Sequence, residues 1–290
     1  MPVRIVQSKQ NARLKQLRRA LALPLRERDR EGRALAGIEG PNLLEEALRA
    51  GLRIDCVFLA QGSEHLLDGV GLAAEMEVLA LPGELLRSAV TTETPQPIAA
   101  LIEPPDWTWA HVLGPQKKAA ALVVILAGLQ DPGNLGTILR SAEAFGADGI
   151  LSLPGTVSAW NPKAVRASAG SVFRVPILSV SEDECFTRLR EAGVRILTTA
   201  VREAEHGDLA DMAAAVALII GNEGSGVPNH LAAMADGAIT IPCPGAVESL
   251  NAAVAASVLL YEASRQRAAS HPSPKTRRMG YPDCSTGSKL

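Results

Sequence analysis

Between Ala121 and Arg267 the chain alternates short, wholly aliphatic runs with segments of helical periodicity, and no other feature restricts the fold as much. The runs are "ALVVILA" (121–127), "GILSL", "VRILTTA", "VALIIG" and "AITIP". A strand with one face in water alternates polar and apolar residues, whereas a strand covered on both faces does not, so these runs read as interior strands of a parallel sheet. Helical patterns at 134–145, 182–192, 227–235 and 249–267 supply the crossovers. Only 3% of the 290 residues are aromatic, so the core has to be built from Ala, Leu, Val and Ile. Ligands of such α/β sheets bind beyond the carboxyl ends of the strands. The glycine-rich loops at 128–136 and 221–226 both follow strands and belong on that edge.

A second, smaller α/β unit is predicted ahead of this one, over residues 1–103. "NARLKQLRRALAL" spaces Leu14, Leu17, Leu21 and Leu23 as an amphipathic helix with a cationic polar face. "GPNLLEEALRAG" starts with Pro in its first turn and stops at Gly51, the expected punctuation of a helix. "IDCVFLA", "EMEVLAL" and "PIAALIE" read as strands and "PGELLRSAV" as a helix. Residues 104–118 carry prolines, Trp107 and Trp109 and no period, which marks a linker; its tryptophans stack on bases or pack against a domain. The parallel-sheet unit then runs over 119–268. The Pro-, Ser- and basic-rich tail, 269–290, reads as disordered.

The net charge of −2 conceals an uneven distribution. Residues 1–33 hold ten basic residues against three acidic, 41–113 hold three against eleven, and 263–290 hold six against one. Basic ends fit contact with a polyanion or a solvated helix face, and charge alone does not choose between them. The four cysteines are far apart, without a C-x-x-C pair or a histidine at ligand spacing, so neither a disulfide framework nor a metal is expected. No apolar run reaches the roughly 18 residues of a membrane span, which predicts a soluble, cytoplasmic protein.

Three loops concentrate the chemistry. In "AGLQDPGNLGTILRSAEAFG" Asn134 stands where a helix cap belongs, and Arg140 lies off the apolar stripe of Leu135, Ile138, Leu139, Ala142 and Phe145. Its glycines, Gly128, Gly133 and Gly136, do not match the dinucleotide-binding spacing, and no Walker G-K-[ST] is present. "IIGNEGSGVP" puts Gly221, Asn222 and Glu223 directly after a strand, where bare backbone lets a flat ligand approach. "AITIPCPGAVESLNAAVAASVLLYEASRQR" joins a strand to a long helix with Glu248, Ser249 and Asn251 at its start, Ser249 being the candidate cap. Each loop taken alone is equally a strand-to-helix turn with its cap.

Together and in this order, "DPGNLGTILRSAEAFGAD", "IIGNEGSGVP" and "ITIPCPGAVESLNAAVAASVLLYE" closely resemble the three motifs of the SpoU (TrmH) branch of the SPOUT RNA methyltransferases. "IEGPNLLEEALRAG" and "TPQPIAALIE" resemble the amino-terminal substrate-binding domain that many members carry. The resemblance implies S-adenosyl-L-methionine as methyl donor, a ribose 2′-hydroxyl of RNA as acceptor, a homodimer, and a trefoil knot in the catalytic domain. It carries catalytic roles onto Asn134, Arg140, Glu223, Ser249 and Asn251, and cofactor contacts onto Thr199, Ala200, Gly221, Asn222, Ile241 and Leu250. Arg13, Lys15, Arg18 and Arg19 become the candidate RNA contacts of the basic helix. Ribosomal RNA of the large subunit is the expected substrate, with tRNA as the alternative. A non-catalytic RNA-binding protein would lack Asn134 or Arg140, and both are present. An NAD-type oxidoreductase would need the absent Rossmann fingerprint.

Overall fold

A computed structural model of the chain describes residues 3–22, 25, 27–29, 31–90, 92, 94–114, 120–200, 205–207, 210–246 and 249–270. The amino-terminal part runs β1 (Val3–Ile5), α1 (Ala12–Ala22), β2 (Glu27–Arg28), β3 (Ala34–Glu39), α2 (Pro41–Arg49), β4 (Ile54–Ala60), β5 (Val78–Leu81), α3 (Gly83–Arg87) and β6 (Ile98–Ile102). Its sheet has the order β1-β5-β4-β6-β3-β2. β1, β5 and β4 run parallel, while β6 opposes both β4 and β3. α1 buries Leu14, Leu17, Ala20 and Leu21 against this sheet, as its period predicts. β3 carries Gly37 in mid-run, pressed against Leu21, and gives no strand signal in the sequence.

The rest runs α4 (Trp109–Leu113), β7 (Leu122–Leu126), α5 (Pro132–Ala144), β8 (Gly149–Ser152), α6 (Pro162–Ala167), β9 (Ile177–Ser179), α7 (Glu182–Glu191), β10 (Arg195–Thr199), β11 (Glu205–His206), β12 (Val216–Ile220), α8 (Asn229–Met234), β13 (Gly237–Thr240) and α9 (Ala252–Ser270). The seven strands are ordered β11-β13-β10-β12-β7-β8-β9, and every neighbouring pair is parallel. β7 and β12, at the centre, are buried along their whole length, which is why their sequences show no alternation.

Three local expectations change. α5 begins at Pro132, and its cap is Asp131, whose side chain accepts from the Asn134 N–H; Asn134 is inside the first turn. α9 begins at Ala252, so Ser249 lies outside the helix, and Asn251 is the residue whose Oδ1 accepts from the N–H groups of Ala253 and Val254. The stretch without a period holds α4, closed by a reciprocal cap between Thr108 and His111. Trp109 donates to Glu184 at 2.7 Å under the Arg188 guanidinium, and Trp107 meets His111 edge-on, so both tryptophans pack within the fold. Residues 271–290, the core of the predicted tail, lie outside the described residues, as does Glu248.

The two sheets share one hydrophobic cluster. Ile38, Leu43, Leu44 and Ala47 of the first part belong to it together with Val165, Val172 and Phe173 of the second.

Candidate active site

The loops leaving β7 and β12 and the segment after β13 converge at the carboxyl edge of the seven-stranded sheet. Asn134 is their junction. Its Nδ2 donates to Glu223 Oε1 at 2.9 Å, and its Oδ1 accepts from Asn251 Nδ2 at 3.0 Å. One amide therefore ties the three motifs together, although its partners are 89 and 117 residues away. Glu223 also accepts from the backbone N–H groups of Asp131 (3.2 Å) and Gln130 (3.3 Å). Burial opposes its ionisation, but the bonds from Asn134 and the backbone prevail and hold its carboxyl below the ordinary range. Asp131, which caps α5, is paired at 3.0 Å with Lys163 at the start of α6, and that bond depresses its carboxyl as well.

A cavity of about 930 Å³ opens beside this network. Thr199, Ala200, Gly221, Asn222, Ile241 and Leu250 all line it, with Glu223 and Ser249. Asn134, Arg140 and Asn251 are not among its lining residues. The volume lies in the range of small-molecule and cofactor sites, and much of the lining comes from the loop segments 221–227 and 241–250. The glycine at 221 also answers a constraint within the loop. A Cβ there would come within 2.2 Å of the Gly226 carbonyl carbon, because Asn222 and Gly226 close a tight backbone bridge. The loop itself already requires glycine at this position.

Arg140 lies six residues beyond Asn134, about 9 Å further along the helix axis at 1.5 Å per residue. It is exposed and makes no hydrogen bond or ion pair among the described residues. Its neighbour Ser141 bonds Ser257 of α9 at 2.6 Å, so α5 and α9 lie side by side.

Residues 121–261 match the SpoU rRNA Methylase family, and residues 11–100 match the MRM3-like substrate binding domain. The chain is 33% identical over 224 residues to the 23S rRNA (guanosine(2553)-2′-O)-methyltransferase RlmP of Bacillus subtilis, covering 77% of this chain and 86% of that one. The chain belongs to the SpoU rRNA methylase family. A second relative of this methylase, the 23S rRNA (uridine(2479)-2′-O)-methyltransferase of Streptomyces viridochromogenes, is 33% identical over 199 residues, 66% of this chain and 68% of the relative. Among solved structures, the SpoU methyltransferase AviRb of Streptomyces viridochromogenes in complex with AdoMet superposes with a TM-score of 0.75 at 28% identity, over 89% of this chain and all of that one.

In this SpoU methylase the basic residues of α1 do not form one free face. Arg13 donates to Asp55 at 2.8 Å and to Glu77 at 3.0 Å, and only 18% of its side chain is exposed. Two carboxylates already occupy that guanidinium, so Arg13 is a structural ion pair and drops out of the candidate RNA contacts. Lys15 is half-buried, and Arg18 and Arg19 are exposed. Sequence reasoning missed Asp131 and Lys163. The Asn161-Pro162 start of α6 was available as a signal, since Asn161 caps it and Pro162 is its first residue. The pairing of Lys163 with Asp131, 32 residues away, had none. No helix among the described residues is long and apolar enough to cross a membrane, and no group of three or more His, Cys, Asp or Glu is gathered to hold a metal.

Proposed function

We propose that this protein transfers a methyl group from S-adenosyl-L-methionine to a ribose 2′-hydroxyl of RNA, with 23S rRNA as substrate. The observation that carries this reading is the Asn134–Glu223–Asn251 network, whose Glu223 lines the adjoining cavity of about 930 Å³. The substrate follows the activities of the two 23S rRNA relatives. Residues 1–103 would hold the RNA and 119–268 the reaction, joined by 104–118.

When bound, the donor supplies an electrophilic methyl group on a sulfonium that departs as a neutral thioether. Thr199, Ala200, Gly221, Asn222, Ile241 and Leu250 would hold it. The residues of the chain must then deliver and activate the hydroxyl. Glu223 is a poor base, because every bond that organises it also stabilises its charged form. Its role is to fix the Asn134 amide, leaving the outward parts of both asparagines to orient the ribose. Arg140 acts as a planar cationic fork on the ribose or its adjacent phosphate, favouring the ionised oxygen.

A homodimer is supported by α9, where Val254, Val258 and Tyr261 are 49%, 40% and 56% exposed at helical spacing on the helix packed beside α5. The likeness to the SpoU methyltransferase structure supports the knotted topology that the family resemblance implies. We place the reaction in the cytoplasm, where rRNA is found.

The test is transfer of labelled methyl groups to 23S rRNA and to tRNA transcripts, followed by nuclease mapping of the modified ribose. Label in a 2′-O-methyl nucleotide of 23S rRNA is the expected result, label only in tRNA moves the substrate, and no label in either rejects the reading.

A further inference from the structure

Arg174 follows the short 3-10 turn Ser171–Phe173 and connects three parts of the molecule. Its Nε and Nη2 both donate to the Glu143 carboxylate, the latter at 3.2 Å, and its Nη1 donates to Glu46 Oε2 at 2.6 Å. Glu46 lies on α2 of the amino-terminal part, 128 residues away. Glu143 lies in the last turn of α5, the helix that carries Asn134 and Arg140. The approach is close. Gly170 adopts a φ of 89°, and a Cβ there would come within 2.7 Å of Glu46 Cβ, so only glycine lets α2 reach this turn.

The surrounding contact is the shared aliphatic cluster, with Phe173 stacked on Trp160 at 6.1 Å. Apolar burial of this kind holds two bodies together without fixing their mutual angle. A planar guanidinium engaged by two carboxylates does fix an angle. We propose that Arg174 is a positioning residue for the RNA substrate: by bridging Glu143 to Glu46 it sets the orientation of the amino-terminal unit relative to α5, and so which nucleotide reaches Asn134 and Arg140. This rests on reading the amino-terminal unit as the RNA-holding part.

Arg174→Ala, Glu46→Ala and the double variant are assayed on in vitro transcribed 23S rRNA, with S-adenosylhomocysteine affinity measured by calorimetry. KM for the RNA rises about tenfold in either single variant, while kcat stays within about twofold and S-adenosylhomocysteine affinity is unchanged. The double variant is no worse than the singles, because both remove the same bridge. Arg174→Lys recovers only part, since it loses the fork. An unchanged KM in both singles, additive effects, or a parallel loss of S-adenosylhomocysteine affinity overturns the proposal. Small-angle scattering of the RNA-free protein separates this from the functional reading. If the wild type methylates no RNA, that reading fails, while a broadened distance distribution in the variants still supports the clamp and an unaltered one overturns it.

Discussion

Asn134 and Arg140 sit on one helix, yet their surroundings assign them different work. Asn134 has both side-chain atoms committed, to Glu223 and to Asn251, and is held by its neighbours. Arg140 has no partner among the described residues and stands outside the cavity lining, so its charge is available to an arriving anion. Arg140→Ala should therefore reduce methyl transfer by at least about a hundredfold while leaving S-adenosylhomocysteine affinity within a few fold. Calorimetry beside turnover checks both halves, and normal turnover removes Arg140 from the site. The cysteines provide a footprint of the cavity. Cys56 and Cys185 are buried, the latter with its thiol pushed up to about 12 by desolvation, whereas Cys243 is exposed and lines the cavity. Maleimide followed by peptide mapping should, among the three cysteines of the described residues, label Cys243 and spare Cys56 and Cys185, and S-adenosylhomocysteine should slow the labelling of the Cys243 peptide. Unprotected labelling at saturating ligand would mean that the ligand binds elsewhere.

Helices and strands were legible wherever burial was uniform or strictly periodic. β7 and β12 coincide with their aliphatic runs because both are buried along their whole length. α6 and β9 are too short for a period to develop, and β3 is interrupted by Gly37, so tertiary packing rather than local pattern defines them. That Gly221, Asn222, Ile241 and Leu250 line one cavity was legible through their motifs, but the close return of the loop on Gly221 at Gly226 was not. The basic face of α1 was legible as a pattern and misleading as an inventory, because a helical period shows where Arg13 points and not that Asp55 and Glu77 await it. This separates two outcomes. Replacing Lys15, Arg18 and Arg19 with Gln should weaken RNA binding and flatten its log-log salt slope by roughly 0.7 to 0.9 for each phosphate no longer neutralised. Arg13→Gln should lower the melting temperature and leave the slope unchanged. Titrations at several salt concentrations decide it, and an unaltered slope in the triple variant returns α1 to a solvated face.

The molecule as a whole depends on carboxylates that are ionised and engaged: Asp131 and Glu223 at the site, Glu46 and Glu143 at the junction of the two sheets. The bond from Arg174 holds the Glu143 carboxyl below its ordinary value of 4.5, and at Glu46 the bonds from Arg174 and Arg49 outweigh a desolvation that acts in the opposite direction. A group whose folded pKa lies below its unfolded one stabilises the fold fully above the unfolded value, and that contribution disappears as pH falls through the folded value. The junction should therefore be at full strength at neutral pH and weaken below about 4.5. The site carboxylates add to the same acid slope, so the wild-type curve alone does not isolate the junction. Glu46→Gln does. It should melt below the wild type at pH 7, keep that difference down to about pH 5, and converge with the wild type as acid removes the charge that the variant never had. Thermal melts between pH 7 and 3 measure the difference directly. A gap that stays constant to pH 3 would mean that the charge of Glu46 adds nothing to the junction, and the Arg174 bridge would then not hold the two sheets together.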